Sequence, residues 1–71
     1  MATHRNSIEA PKWASFGTAV RQIANQCNLD IQVNKESGVI RETIFYRVDG
    51  EQEAINKFKR MVNETVADYN S

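Results

Sequence analysis

This 71-residue chain is poor in the residues that staple a small protein or give it a strong charge: it has one cysteine, one histidine, one proline and three glycines. A single cysteine excludes an internal disulfide, and one cysteine with one histidine falls short of a usual structural zinc site. No metal or cofactor is therefore expected. Nine basic residues balance nine acidic ones, so a general electrostatic grip on nucleic acid or on an anionic membrane is not implied. The asymmetry is local and small: residues 1–28 carry His4, Arg5, Lys12 and Arg21 against Glu9 alone. No apolar run approaches the roughly 20 residues of a membrane span. The opening M-A-T-H-R-N-S also lacks the hydrophobic segment of a secretory signal. A reducing, cytoplasmic setting is the expectation, consistent with a free thiol at Cys27.

Catalytic signals are equally sparse. Gly17, Gly38 and Gly50 are too scattered for a phosphate-binding loop. The carboxylates are spread over every segment without an obvious facing pair. Cys27 falls on the apolar stripe of a helix and reads as a buried small hydrophobe. His4 reads as a solvated residue in a mobile N-terminal segment, with residues 1–3 outside the ordered fold. No catalytic residue is assigned, and a small enzyme ranks third among the functional readings.

Residues 1–71 leave room for one domain, and a chain of this length buries only roughly 60% of the surface its unfolded form exposes. Its core rarely supplies more than about 3–5 kcal/mol, so small domains lean on disulfides, metals or partner subunits. With the first two excluded, self-association is the expected reinforcement.

Five elements are legible. Residues 4–9 form a short candidate strand, with Asn6 and Ile8 on one side and Arg5, Ser7 and Glu9 on the other. Pro11 marks the junction to a helix that starts there or at Ser15, a residue able to act as N-cap. Trp13, Phe16, Val20, Ile23, Ala24 and Cys27 recur at three- and four-residue steps, and Asn28 is suited to end that helix. Gly17 sits among small neighbours, Ala14, Thr18 and Ala19, which fits either a close packing contact or a tolerated surface glycine. Leu29, Ile31 and Val33 alternate with Asp30, Gln32 and Asn34 as in a half-buried strand. K-E-S-G at 35–38 reverses the chain, and a long strand returns over 39–48 as the second arm of an antiparallel hairpin. Asp49 and Gln52 resemble a capping box for a second helix. Its stripe is Ile55, Phe58, Met61, Val62, Thr65 and Tyr69, with Glu53 and Lys57 as an i, i+4 pair on its wet side.

This order predicts an α+β fold, β-α-β-β-α, with a three-stranded sheet in the order 1-3-2 and both helices on one face. The arrangement resembles a split βαβ fold lacking its last strand. A right-handed first crossover is expected to set strand 1 parallel to its neighbour. The core expected from the stripes is Ile8, Trp13, Phe16, Val20, Ile23, Leu29, Ile31, Val33, Ile40, Ile44, Tyr46, Val48, Ile55, Phe58, Val62 and Tyr69, with Trp13 as a lid.

Two helices on one face leave the other uncovered. Strand parity assigns Arg41, Thr43, Phe45 and Arg47 to that open face, with Gln32 and Asn34 beside them and Arg5 or Ser7 from strand 1. Such a surface fits a non-catalytic interaction or adaptor protein, self-associating through the open face or the sheet edge, since aromatic and arginine residues are favoured at interface centres. The alternative is single-stranded nucleic acid, with a base stacked on Phe45 and Arg41 and Arg47 on the backbone, in likeness to the sheet surfaces of RNA-recognition modules. Those modules present two or more sheet aromatics, whereas Phe45 stands alone and Tyr46 faces the core. A plain solvated face with one exposed ring stands level with the protein contact as a reading of this surface.

Overall fold

Alternation along the central strand sets the layers of the molecule. Ile44, Tyr46 and Val48 are buried on one side, and Thr43, Phe45 and Arg47 lie on the other. The structure is a computed structural model that describes residues 1–70. It runs β1 (Ala2–Pro11), a single 3-10 turn (Lys12–Ala14), α1 (Phe16–Gln26), β2 (Asp30–Ser37), β3 (Arg41–Gly50) and α2 (Gln52–Asn70). The sheet order is β1-β3-β2, as the sequence predicts. Its shortest dimension, 15 Å, is that of one sheet under one layer of helices.

Both pairings of β3 are antiparallel, with Ile8 opposite Ile44 on β1 and Val33 opposite Tyr46 on β2. The expectation that strand 1 runs parallel to its neighbour therefore fails. The hairpin arm β3 takes the place beside β1, and the strand parallel to β1 is β2, one position further on. β1 is also longer than its apolar residues suggest. Ala2 and Thr3, expected outside the fold, pair with Gly50 and Asp49, because backbone hydrogen bonding to a long central strand requires no apolar side chains.

The helix ends follow from local chemistry. α1 begins after Ser15, which takes a left-handed conformation (φ 56°) and makes no side-chain cap. It ends at Asn28, also left-handed (φ 57°). The Asn28 amide donates to the Asn25 carbonyl and the Leu29 amide to the Ala24 carbonyl, the paired bonds of a Schellman motif, with buried Leu29 folded back onto the helix. For α2 the expected capping box does not form. The Ile55 amide donates to the Glu51 carbonyl, which opens the helix two residues later than the box requires. Asp49 remains in β3, bound to Thr3 and Arg47, and Gln52 Nε2 donates to Asn56 Oδ1 at 2.9 Å.

The main core joins Val20, Ile23, Ala24, Cys27 and Leu29 to Tyr46, Val48, Ile55, Phe58 and Val62, and a smaller cluster holds Ala10, Phe16 and Ile44. Half-buried Ile8, Val33 and Val66 pack against both. Cys27 is buried as expected, its Sγ 4.0 Å from Met61 Sδ. Three expected core residues are not in it. Trp13 is 72% exposed, because the 3-10 turn breaks the helical phase that would have carried it inward. Ile40 is 62% exposed, since the reversal spans residues 38–40 and β3 starts only at Arg41. Tyr69 is exposed as well, its ring meeting Phe16 edge-on at 5.3 Å. Glu42, on the same parity as Ile44, is buried instead.

Gly17 is explained by packing. A methyl group there would lie 2.7 Å from Cε of Lys35, which points from β2 to the helix side of the sheet and lays its stem over α1. The close-contact alternative is the one realised, and the contact is with a flexible side chain.

Candidate functional site

The uncovered face of the sheet is built from odd-numbered residues of β1 and β3 and even-numbered residues of β2, in register. Arg5, Arg47 and Gln32 form one cross-strand row, and Ser7, Phe45 and Asn34 the next. Phe45 is 40% exposed, and with Arg5, Ser7, Gln32, Asn34 and Arg47 it lines an open depression of about 480 Å³. The structure thus brings Phe45, Arg47, Gln32 and Asn34 together at the centre of the face. Arg41 and Thr43 lie on the same face towards its far end, where Arg41 pairs with Pro11 of β1 and Thr43 with Glu9 and Glu36.

Charge on this face is largely satisfied from within. Arg41 Nε bonds Glu9 Oε1 at 3.2 Å, and Arg47 Nε bonds Asp49 Oδ2 at 3.1 Å. Asp49 also accepts the Thr3 hydroxyl directly across from it. That hydrogen bond first, and the Arg47 guanidinium after it, hold the Asp49 carboxyl below its ordinary range. Both residues that sequence reasoning chose to hold a nucleic-acid backbone, Arg41 and Arg47, are therefore already engaged through Nε. Arg5 is different. It makes no ion pair within 4.0 Å among the described residues and stands directly opposite Arg47, with Asp49 attracting it from longer range, so an outside acidic group would supply the direct partner it lacks.

His4 lies in β1 opposite Val48, not in a mobile tail, with its ring 6.2 Å from that of Tyr46. It shares a small hollow of about 120 Å³ on the helix side with Asn6, Tyr46, Lys59 and Asn63. Partial burial, and then the Lys59 ammonium of α2, hold its imidazole below the ordinary 6.5. Tyr46, the other titratable group facing it, is pushed above 10 by burial and so stays neutral here. A depressed histidine favours the neutral form in the folded state. Its stabilising contribution is complete above pH 6.5 and declines as pH falls from there through the lowered value. The thermal midpoint should accordingly drop on acidification across this window, and His4→Gln should flatten that slope. Equal slopes for the two proteins, followed by circular dichroism, would remove His4 from the account.

Sequence reasoning missed a second exposed apolar feature. The Lys12 amide donates to the Ile40 carbonyl at 3.1 Å, which brings the 3-10 turn against the β2–β3 reversal. Trp13, Val39 and Ile40 are all exposed at this end of the sheet. The missed signal was Pro11 with left-handed Ser15: two backbone breaks so close together leave no room for a regular first helical turn at Trp13.

Among the described residues, no three His, Cys, Asp or Glu side chains are placed to hold a metal ion, and no helix is long and apolar enough to cross a membrane. No protein-family model matches the chain, and no curated protein matches it in sequence.

Proposed function

We propose that this is a non-catalytic interaction protein that self-associates through the part of its sheet the helices leave uncovered, in a cytoplasmic, reducing setting that keeps Cys27 a thiol. The observation that carries the reading is the sheet itself: three strands with one bare face, one exposed aromatic ring at its centre and both edges unpaired among the described residues. The internal pairing of Arg41 and Arg47 favours a protein contact over a nucleic-acid one, because Glu9 and Asp49 partly offset both guanidinium charges and repel a polyanion brought against them.

Light scattering at low and high salt tests the proposal. The expected result is a mass above one chain at both salt concentrations. A single-chain mass at the concentrations used for NMR would overturn it. Phe45→Ala is expected to fold with a stability within about 1 kcal/mol of the parent, since its ring is exposed. An oligonucleotide affinity that falls steeply with salt and is lost in Phe45→Ala would instead establish the nucleic-acid reading.

A further inference from the structure

The two sheet edges are not equivalent, and the difference points to a seam. The Lys12 amide bonds the Ile40 carbonyl, and this pair lies in the β1–β3 register. Opposed residues of an antiparallel pair alternate between bonded and non-bonded. Even-numbered residues of β1 are therefore the ones bonded to β3, and Thr3, Arg5, Ser7 and Glu9 turn their backbone groups outward. The Ser7 amide confirms this, since it donates to the neighbouring Asn6 Oδ1 at 2.9 Å and not to the ladder. By the same alternation, the Gly38 amide on the Arg41 carbonyl leaves the odd-numbered residues of β2 facing outward. β2 is the shorter edge, eight residues against ten, and carries Lys35 pointing inward, a device that discourages pairing. β1 has no such inward lysine.

Resting on the self-association reading, we propose that the partner is a second copy of this chain and that the seam is β1 paired antiparallel with itself about Ser7. Charge decides the register. Centred on Arg5, the pairing sets arginine against arginine; centred on Glu9, it sets glutamate against glutamate. Centred on Asn6 or Ile8, it makes no ion pair. Centred on Ser7, it sets Arg5 of each copy against Glu9 of the other, twice over. Of the three arginines on this face, Arg5 is the one without an ion pair within 4.0 Å among the described residues, and Glu9 spends only Oε1 on Arg41. The product is a six-stranded sheet with helices on one side, in which the second copy's Glu9 offsets the Arg5–Arg47 opposition. Edge pairing also satisfies the outward backbone groups of Thr3, Arg5, Ser7 and Glu9, which a face-to-face contact would leave to water.

Charge reversal tests the seam. Arg5→Glu and Glu9→Arg should each weaken dimerisation by about tenfold or more, because each turns two attractive pairs repulsive. The double variant should regain the parent's affinity, and the two single variants, mixed, should form a heterodimer. Amide hydrogen exchange gives a readout independent of charge. The Arg5, Ser7 and Glu9 amides should be protected in the parent and fast in Arg5→Glu, whereas the Ile8 amide stays protected in both. If the parent has a mass above one chain but these amides exchange fast, or the reversals leave the mass unchanged, the β1 seam is wrong and self-association stands. A single-chain parent overturns both.

Discussion

Phe58→Ala should lack a cooperative thermal transition. Phe58 is fully buried on the α2 stripe, meets Tyr46 edge-on at 5.6 Å, and belongs to the cluster that also holds Val20, Leu29 and Val48. It therefore helps to hold both helices to the sheet. Truncating a buried phenylalanine to alanine destabilises by about 3–5 kcal/mol through lost transfer energy and the cavity left behind. A core this small supplies about the same amount in total, so the variant should bind hydrophobic dyes and show dispersed amide signals only on addition of a stabilising osmolyte. A sigmoidal melt near that of the parent would show that the core is organised around other side chains.

Periodicity carried this core because it depends on short-range geometry. The stripe of α2 and the alternation of β3 each repeat over several turns or residue pairs, and Ile44, Tyr46, Val48, Ile55, Phe58 and Val62 are buried as their spacing requires. The sheet order follows from the same elements. What periodicity cannot see is where a regular element starts. Trp13 and Ile40 both continue an apolar pattern in sequence, yet each falls just outside its element, in the 3-10 turn and in the 38–40 reversal, and both are exposed.

The uncovered face was legible for a similar reason and incomplete for another. Parity alone placed Phe45, Arg47, Gln32 and Asn34 on one side, and the register then put them in adjacent rows. The pairing of their charges was not legible. For Arg41 it depends on which β1 residue stands beside it, and only the three-dimensional register supplies Glu9, while Arg47 pairs with Asp49 of its own strand and the register brings Thr3 to that carboxylate. That register moved the available cation from Arg41 and Arg47 to Arg5, and with it moved attention from the face to the β1 edge. Electrostatic neutrality of the whole chain hid this local inequality.

Gly50→Ala should destabilise the protein by about 1–3 kcal/mol, the usual effect of forcing extra volume into a packed site. The reason is contact, not conformation: the Gly50 φ is not positive, and an alanine could take its backbone angles. A Cβ there would fall well inside van der Waals distance of Leu29 Cδ2, with Leu29 Cα only 3.9 Å away. Leu29 cannot simply swing aside as Lys35 can at Gly17, because it is buried and its amide closes the end of α1 on the Ala24 carbonyl. One methyl group would thus strain the exit of α1 and the last residue of β3, which leads into α2. Urea unfolding of Gly50→Ala should show a lower midpoint with an unchanged slope, and the cost of Gly50→Ala should shrink when it is measured in a Leu29→Ala background, whereas the two changes would simply add if the methyl did not meet Leu29. An unshifted midpoint in Gly50→Ala would mean that the sheet and α1 are not pressed together at this point.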